Sequence, residues 1–220
     1  MLPMMVFMVL GLLQMTLAYH AKLVNEYAAF KVARAASVYR LDCDRMVRAG
    51  LMALVPTISR VGDGNQSDPR PRYLATARKV LGENKPPNAS VDIPLVWVDY
   101  RVTNFRNTFD EQLEPNETPM KVHVRLAYFW EYRIPFANWI ISRVWLSSQT
   151  GSAWATGADP ITPVRDSAGR VTRSTQISPD VGIARRAIRQ NYFTVPLVST
   201  WTMRMMSDPL PTADLVGHCQ

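Results

Sequence analysis

MLPMMVFMVLGLLQMTLAYHAKLVNEYAAFKVARAASVYRLDCDRMVRAGLMALV, residues 1–55, decides the fold. No Asp, Glu, Lys or Arg occurs before Lys22. A helix of roughly 20 residues crosses the ~30 Å hydrocarbon core of a bilayer, so residues 1–21 are long enough to span it. Pro3 is tolerated because the first helical turn has no use for its missing amide donor. Gly11, Gln14 and Thr16 are more polar than lipid favours and read as a face for another helix. A cleaved signal peptide carries a basic leading region, which this stretch lacks, although Thr16-Leu17-Ala18 passes as a weak cleavage site. A buried helix of a soluble core rarely holds so long an uncharged run. The reading taken is a retained membrane helix. Lys22, Lys31, Arg34, Arg40, Arg45 and Arg48 all follow the span, and the positive-inside rule by itself places the body in the cytoplasm.

From residue 18 to 55 the only breaker is Gly50. Leu23, Tyr27, Phe30, Arg34, Val38 and Leu41 recur at helical spacing with one charged interruption, and Ala28, Ala29, Ala33, Ala35 and Ala36 enrich the stretch in the best helix former. The pattern predicts one helix over about residues 4–54, ~75 Å long at 1.5 Å per residue, apolar first and amphipathic afterwards. The second half packs on its own domain, on copies of itself, or on both with different faces. The predicted organisation is a transmembrane or filament-core helix over 1–21, an amphipathic stalk over 22–55 and a globular α+β head over 56–220.

The chain has 220 residues and 24.9 kDa, enough for one ordinary domain with an appendage. Hydrophobic residues at 47% and charged residues at 20% exclude wholesale disorder. The net charge of +7 favours anionic partners. Sixteen prolines against ten glycines indicate a loop-rich body rather than a bundle. Residues 71–81 read as a short amphipathic helix closed by Gly82. Residues 91–102, 120–132 and 191–206 read as strands. The clearest is the second, where Met120, Val122, Val124, Leu126, Tyr128, Trp130 and Tyr132 alternate with polar positions such as His123 and Arg125, the period of a half-buried antiparallel strand. In the third, Phe193, Val195, Leu197, Trp201, Met203 and Met205 share a face, and Pro196 marks a bulge or an edge. Phe136, Trp139, Ile140, Ile141, Val144 and Trp145 are read as a short buried helix in preference to a docking patch. Residues 147–182 read as a long loop, and the tail from 207 to 220 as a surface segment. The whole is α+β: a long N-terminal helix packed on a small antiparallel sheet.

Leu2-Pro3, the apolar run, Gly11, Gln14 and then YHAKLVNEYAAFKVARAASV (residues 19–38) resemble TadE-like proteins, the pseudopilins or minor pilins of the bacterial tight-adherence (Tad) type IV pilus system. TWTMRMM (residues 200–206) is similar to such proteins too, with less specificity. The resemblance implies a type IV pilin-like fold and a structural, non-enzymatic subunit of an adhesive extracellular filament. It implies assembly with copies of itself or related pilins, residence in the inner membrane beforehand, and handling by Tad secretion machinery. On this reading Gly11, Gln14, Ala18, Ala21, Tyr27 and Ala28 line the helix-packing surface. Family precursors carry a basic leader, a Gly cleavage site and a Glu five residues later. Here Met5 stands at that ordinal place and no Glu precedes Glu26, so the chain begins inside the motif or lacks it. A leader before this stretch would place the body outside the cytoplasm. The alternative function is a monomeric, membrane-anchored accessory or binding protein of the envelope.

No catalytic constellation, cofactor motif or metal centre is expected. Asp42-Cys43-Asp44 and His218-Cys219 resemble zinc donors, but a disulfide or two unrelated thiols is the preferred reading. An extracytoplasmic body, as the resemblance implies, permits oxidation and favours a Cys43–Cys219 bridge. Free thiols, or pairing between subunits, are the alternatives. Arg185, Arg186 and Arg189 beside Tyr192 read as a solvated helix start, not a nucleic-acid surface. Asp63-Gly64-Asn65-Gln66-Ser67-Asp68 lacks the distal Glu of a calcium loop. The sequons at Asn65, Asn88 and Asn116 carry no expected glycan.

Overall fold

The computed structural model describes residues 2–58, 69–86, 92–104, 119–134, 137–150, 162–165, 171–174, 179–207 and 216–219. The calcium-like stretch, the three sequons and Phe136 lie outside them. The described elements are α1 (Leu2–Val38), α2 (Cys43–Ile58), α3 (Pro69–Glu83), β1 (Val96–Thr103), β2 (Lys121–Glu131), α4 (Ala137–Thr150), β3 (Thr162–Arg165), β4 (Val171–Ser174), α5 (Pro179–Arg189), β5 (Thr194–Arg204) and β6 (Val216–Cys219). The layout is α+β, a long apolar N-terminal helix packed on a four-stranded antiparallel sheet of order β5-β2-β1-β6. The chain divides into two compact units, one of Met1–Tyr19 with Phe129–Pro196, the other of His20–Tyr128 with Leu197–Gln220.

In the second unit the period of two is realised. Val96, Val98, Tyr100 and Val102 of β1 are buried, as are Val122, Val124, Leu126 and Tyr128 of β2, while Lys121 and His123 are exposed. The strands pair antiparallel with Val98 opposite Leu126 and Val102 opposite Val122, so both apolar rows share one face. Against that unit α1 turns a stripe of small residues: Ala21, Ala28, Val32 and Ala36 are buried.

The single long helix expected over 4–54 is two helices. Arg40 and Leu41 adopt left-handed backbone, with φ of 59° and 65°, a conformation that costs a non-glycine residue roughly 1–2 kcal/mol. No Gly or Pro marks the break, which is why the sequence pattern runs through it. The turn is held from both sides. The Leu41 side chain is buried. The α1 carbonyls of Ser37 and Val38 accept the Ser207 hydroxyl at 2.9 and 3.1 Å, and Ser37 O also accepts the Met206 amide at 3.1 Å. On the far side Asp42 caps α2, its Oδ1 accepting the Asp44 amide at 3.0 Å.

Helix α2 packs across β1 and β6 with Leu51, Leu54 and Val55 buried, and Thr57 Oγ1 meets the Tyr128 hydroxyl at 3.1 Å. Gly50, the suspected breaker, sits inside α2 where a Cβ would stand 3.0 Å from Val32 of α1 and 3.7 Å from Leu126 of β2. Its missing side chain sets how closely the two helices and the sheet approach. Helix α3 ends at Asn84, in left-handed backbone (φ 48°), whose side-chain amide then pairs with both backbone groups of Val96 at 3.0 and 3.1 Å.

In the first unit, the long loop expected over 147–182 is corrected. Helix α4 runs to Thr150, β3 and β4 form an antiparallel hairpin, and α5 starts at Pro179. Pro179 at the first helical position with Asp180 in the first turn is a start signal that low hydrophobicity had masked. Val181, Ala184, Ala187 and Ile188 form the buried stripe of α5, and Arg186 and Arg189 lie on its exposed side. The expectation of a buried α4 is also corrected, because Trp139 is 45% and Val144 47% exposed while Ser142 is fully buried. The tail is a further correction, since residues 216–219 are a strand, with Asp99 of β1 opposite His218.

Val124→Asp should collapse the second unit by leaving an unpaired charge in its core, a loss of roughly 3–5 kcal/mol, whereas Lys121→Ala on the opposite face should stay within about 0.5 kcal/mol. Gly50→Val should cost roughly 1–3 kcal/mol by overpacking. Denaturant titrations of the variants read all three. Burial pushes the Tyr132 hydroxyl above its ordinary value. The unfolded chain therefore ionises first as pH rises past about 10. The Tyr132 contribution is full below that pH and lost as pH climbs through the folded value, so Tyr132→Phe should make alkaline unfolding less steep in pH-dependent melts.

Candidate functional site

Helix α1 carries the feature with the clearest functional consequence. Among the described residues it is the one helix long and apolar enough to cross a membrane. Its apolar run is turned outward: Met5 is 70%, Met8 66%, Leu12 59%, Met15 59% and Tyr19 67% exposed. In an aqueous monomer such a surface is unfavourable at roughly 25 cal/mol per Å², and its size and continuity mark a membrane or protein contact.

The six residues predicted to line the packing surface separate by role. Gln14, Ala21 and Ala28 are buried within the protein's own units. Gln14 Oε1 accepts the Ile134 amide at 3.0 Å, while its Nε2 is buried with no partner among the described residues. Ala18 is half-buried and Tyr27 exposed. Gly11 is half-buried, and a Cβ built on it meets nothing within 4 Å. Thr16 bonds back to Leu12 O at 3.0 Å and needs no other partner. The face available to a neighbour is therefore made of large side chains around Gly11.

Three polar side chains fasten α1 to β5, and the sequence pattern shows them only as interruptions. Lys22 Nζ donates to Val198 O and, at 3.0 Å, to Ser199 Oγ. Asn25, fully buried, donates through Nδ2 to Leu197 O at 2.6 Å and Ser199 Oγ at 2.8 Å. Ser37 Oγ donates to Arg204 O at 2.8 Å. Trp201 sits on the same side, its ring edge-on to Phe30 at 5.6 Å, and remains 43% exposed.

Cys43 at the start of α2 and Cys219 at the end of β6 form the disulfide, with Cα atoms 5.3 Å apart across a separation of 176 residues. Both thiols are thereby removed from the zinc-like grouping. Gly217 matters beside it: a Cβ there would lie 2.6 Å from the Tyr100 hydroxyl, so only glycine admits this approach of β6 to β1. An apolar N-terminal helix fits membrane anchoring, and a disulfide fits a body outside the cytoplasm.

The sheet face opposite the helices forms a cleft of about 710 Å³. Register brings Asp99 beside Arg125 and His218, and Arg101 beside His123 and Val216. Arg125 Nη1 and Trp97 Nε1 each donate to Asp99 at 2.7 Å. The Trp97 ring stacks on His218 with centroids 5.0 Å apart and planes at 5°. His123, read from the sequence as merely outward, has both ring nitrogens engaged, by Thr202 Oγ1 at 2.7 Å and Thr103 Oγ1 at 3.2 Å. These residues come from four strands scattered over more than half the chain, so no local motif announces them.

Peptide mapping without reductant should recover Cys43 and Cys219 as one linked pair. Removing the bridge by paired serine substitution should lower stability, with about 5 kcal/mol as the upper figure for so long a loop, and should release the β6 amides to rapid hydrogen exchange ahead of those of β2. Two free thiols in protein isolated without reductant would contradict the bridge. Compared with known protein families, with curated proteins and with solved structures, the chain matches none of them.

Proposed function

We propose that the chain is a structural subunit, a pilin or pseudopilin, of a bacterial type IV or Tad-like pilus, and that it assembles through α1. One observation supports this above the others: α1 is fastened to its own body along one side by small and polar residues, while large apolar side chains crowd the other side without charge before Lys22. A lipid bilayer and a bundle of like helices are almost equally apolar surroundings for that side. Exchange of one for the other in a growing filament therefore costs little. The partners are copies of this chain or related pilins, with the membrane as the reservoir and Tad-type machinery as the driver.

A second reading has its own observation. Ala21 and Ala28, residues that allow close helix approach, are already buried within the subunit. A helix whose small residues face inward also suits a monomeric anchor of an envelope accessory protein, surrounded by lipid alone.

Electron microscopy of material sheared from cells distinguishes the two. A filament subunit appears as polymers in the sheared fraction, and Gly11→Phe should reduce their yield several-fold while the body keeps its melting temperature. Wild-type protein that stays wholly with the membrane pellet as monomer would refute assembly.

A further inference from the structure

The cleft on the outer sheet face borders the α1 seam at Trp201, and its chemistry is specific. Asp99 is already neutralised, since Arg125 and Trp97 both donate to its carboxylate at 2.7 Å. Arg101, one residue pair further along the same face, is exposed and has no ion pair among the described residues. Arg101, Arg125 and Asp99 together leave one positive charge, and its source is the Arg101 guanidinium. A guanidinium open to solvent in a concave site is a fork for a carboxylate.

We propose that this cleft binds an acidic saccharide, a sugar bearing a carboxylate, with Arg101 receiving the carboxylate. Two features argue for a sugar over a bare anion. The first is the pair of threonine hydroxyls holding His123. Hydroxyls both donate and accept, so they match the hydroxyls of a sugar, whereas a phosphate offers acceptors almost alone. The second is size. A cleft of about 710 Å³ falls within the roughly 300–1,000 Å³ of sites for small organic ligands, far more than one inorganic ion fills. The threonine methyls and Val216 give the CH faces of a sugar ring an apolar surface to lie on. This binding is independent of whether α1 assembles into filaments, so neither result decides the other.

Titration calorimetry on the full chain in detergent micelles tests it, with digalacturonate, neutral digalactose and inorganic phosphate as probes. Digalacturonate should bind wild type and the distant control Arg34→Met alike, and Arg101→Met should weaken it about tenfold or more, as loss of a charge-assisted pair predicts. Digalactose should bind at least about tenfold more weakly than its acidic counterpart. Absence of digalacturonate binding at millimolar concentration overturns the proposal, as does equal affinity in Arg101→Met and wild type. Phosphate binding as tight as digalacturonate overturns the saccharide assignment. Should Arg101→Met lose its near-ultraviolet circular dichroism, Thr202→Val serves instead. It frees the His123 ring and should weaken digalacturonate several-fold, and unchanged affinity there also overturns the proposal.

Discussion

The structure depends on how the open edge of β5 is satisfied. Among the described residues, strand β5 has β2 on one side and no strand on the other. An eleven-residue edge with unpaired backbone groups is a template for unwanted pairing. Here Lys22, Asn25 and Ser37 of α1 donate to β5 carbonyls at Val198, Leu197 and Arg204, and Met206 and Ser207, just after β5, donate back to the last carbonyl groups of α1. Asn25 is fully buried, so replacing it by leucine would leave the Leu197 carbonyl without this donor inside the seam, at a cost of roughly 1–3 kcal/mol. The seam fixes the rotation of α1 about its axis. Once that rotation is set, the choice of which residues face outward is no longer free.

The opposite edge is managed by different means. Strand β6 has only four residues, too few to hold an edge by backbone bonds alone. The disulfide supplies the missing constraint, tying its last residue to the start of α2, and Gly217 admits the Tyr100 ring that covers the strand. The bridge also acts on the turn at Arg40 and Leu41. That turn has no glycine to ease its left-handed backbone, and it persists because the helices on both sides are anchored, α1 by β5 and α2 by the sheet and β6.

Legibility in the sequence follows the range of the interactions. The apolar run of α1 and the alternation of β2 are periodic over ten residues or more, and each was readable from hydrophobicity alone. The break after Val38 was not, because Asp42 resembles any other charged helix residue until its carboxylate is seen on the Asp44 amide. Nothing local at Lys22 or Asn25 reveals a β5 carbonyl more than 170 residues away. Strand β6 was hidden by its length and by two prolines ahead of it. The cysteine pair was readable from scarcity and compartment, though not from geometry. In the cleft, Asp99 and Arg125 are ordinary outward residues of two strands until register sets them side by side. The inward burial of Ala21 and Ala28 was likewise beyond the pattern, because alanines at helical spacing fit a neighbour and a sheet equally well.

That last ambiguity bears on how α1 meets anything else. Small residues let a helix approach its own body closely, and the seam uses them for that purpose. The outward face then presents methionine and leucine, flexible side chains that fill irregular gaps, instead of a flat alanine or glycine groove. Contacts built from such residues tolerate small differences in axial position better than close backbone packing does, because each side chain changes rotamer at modest cost. A surface of this kind is comfortable in fluid lipid and also in a bundle whose neighbours are not identical. Gly11, with open space beside it, is the exception: at that one turn a neighbouring backbone can come near, which would give an otherwise permissive face a single preferred point of crossing.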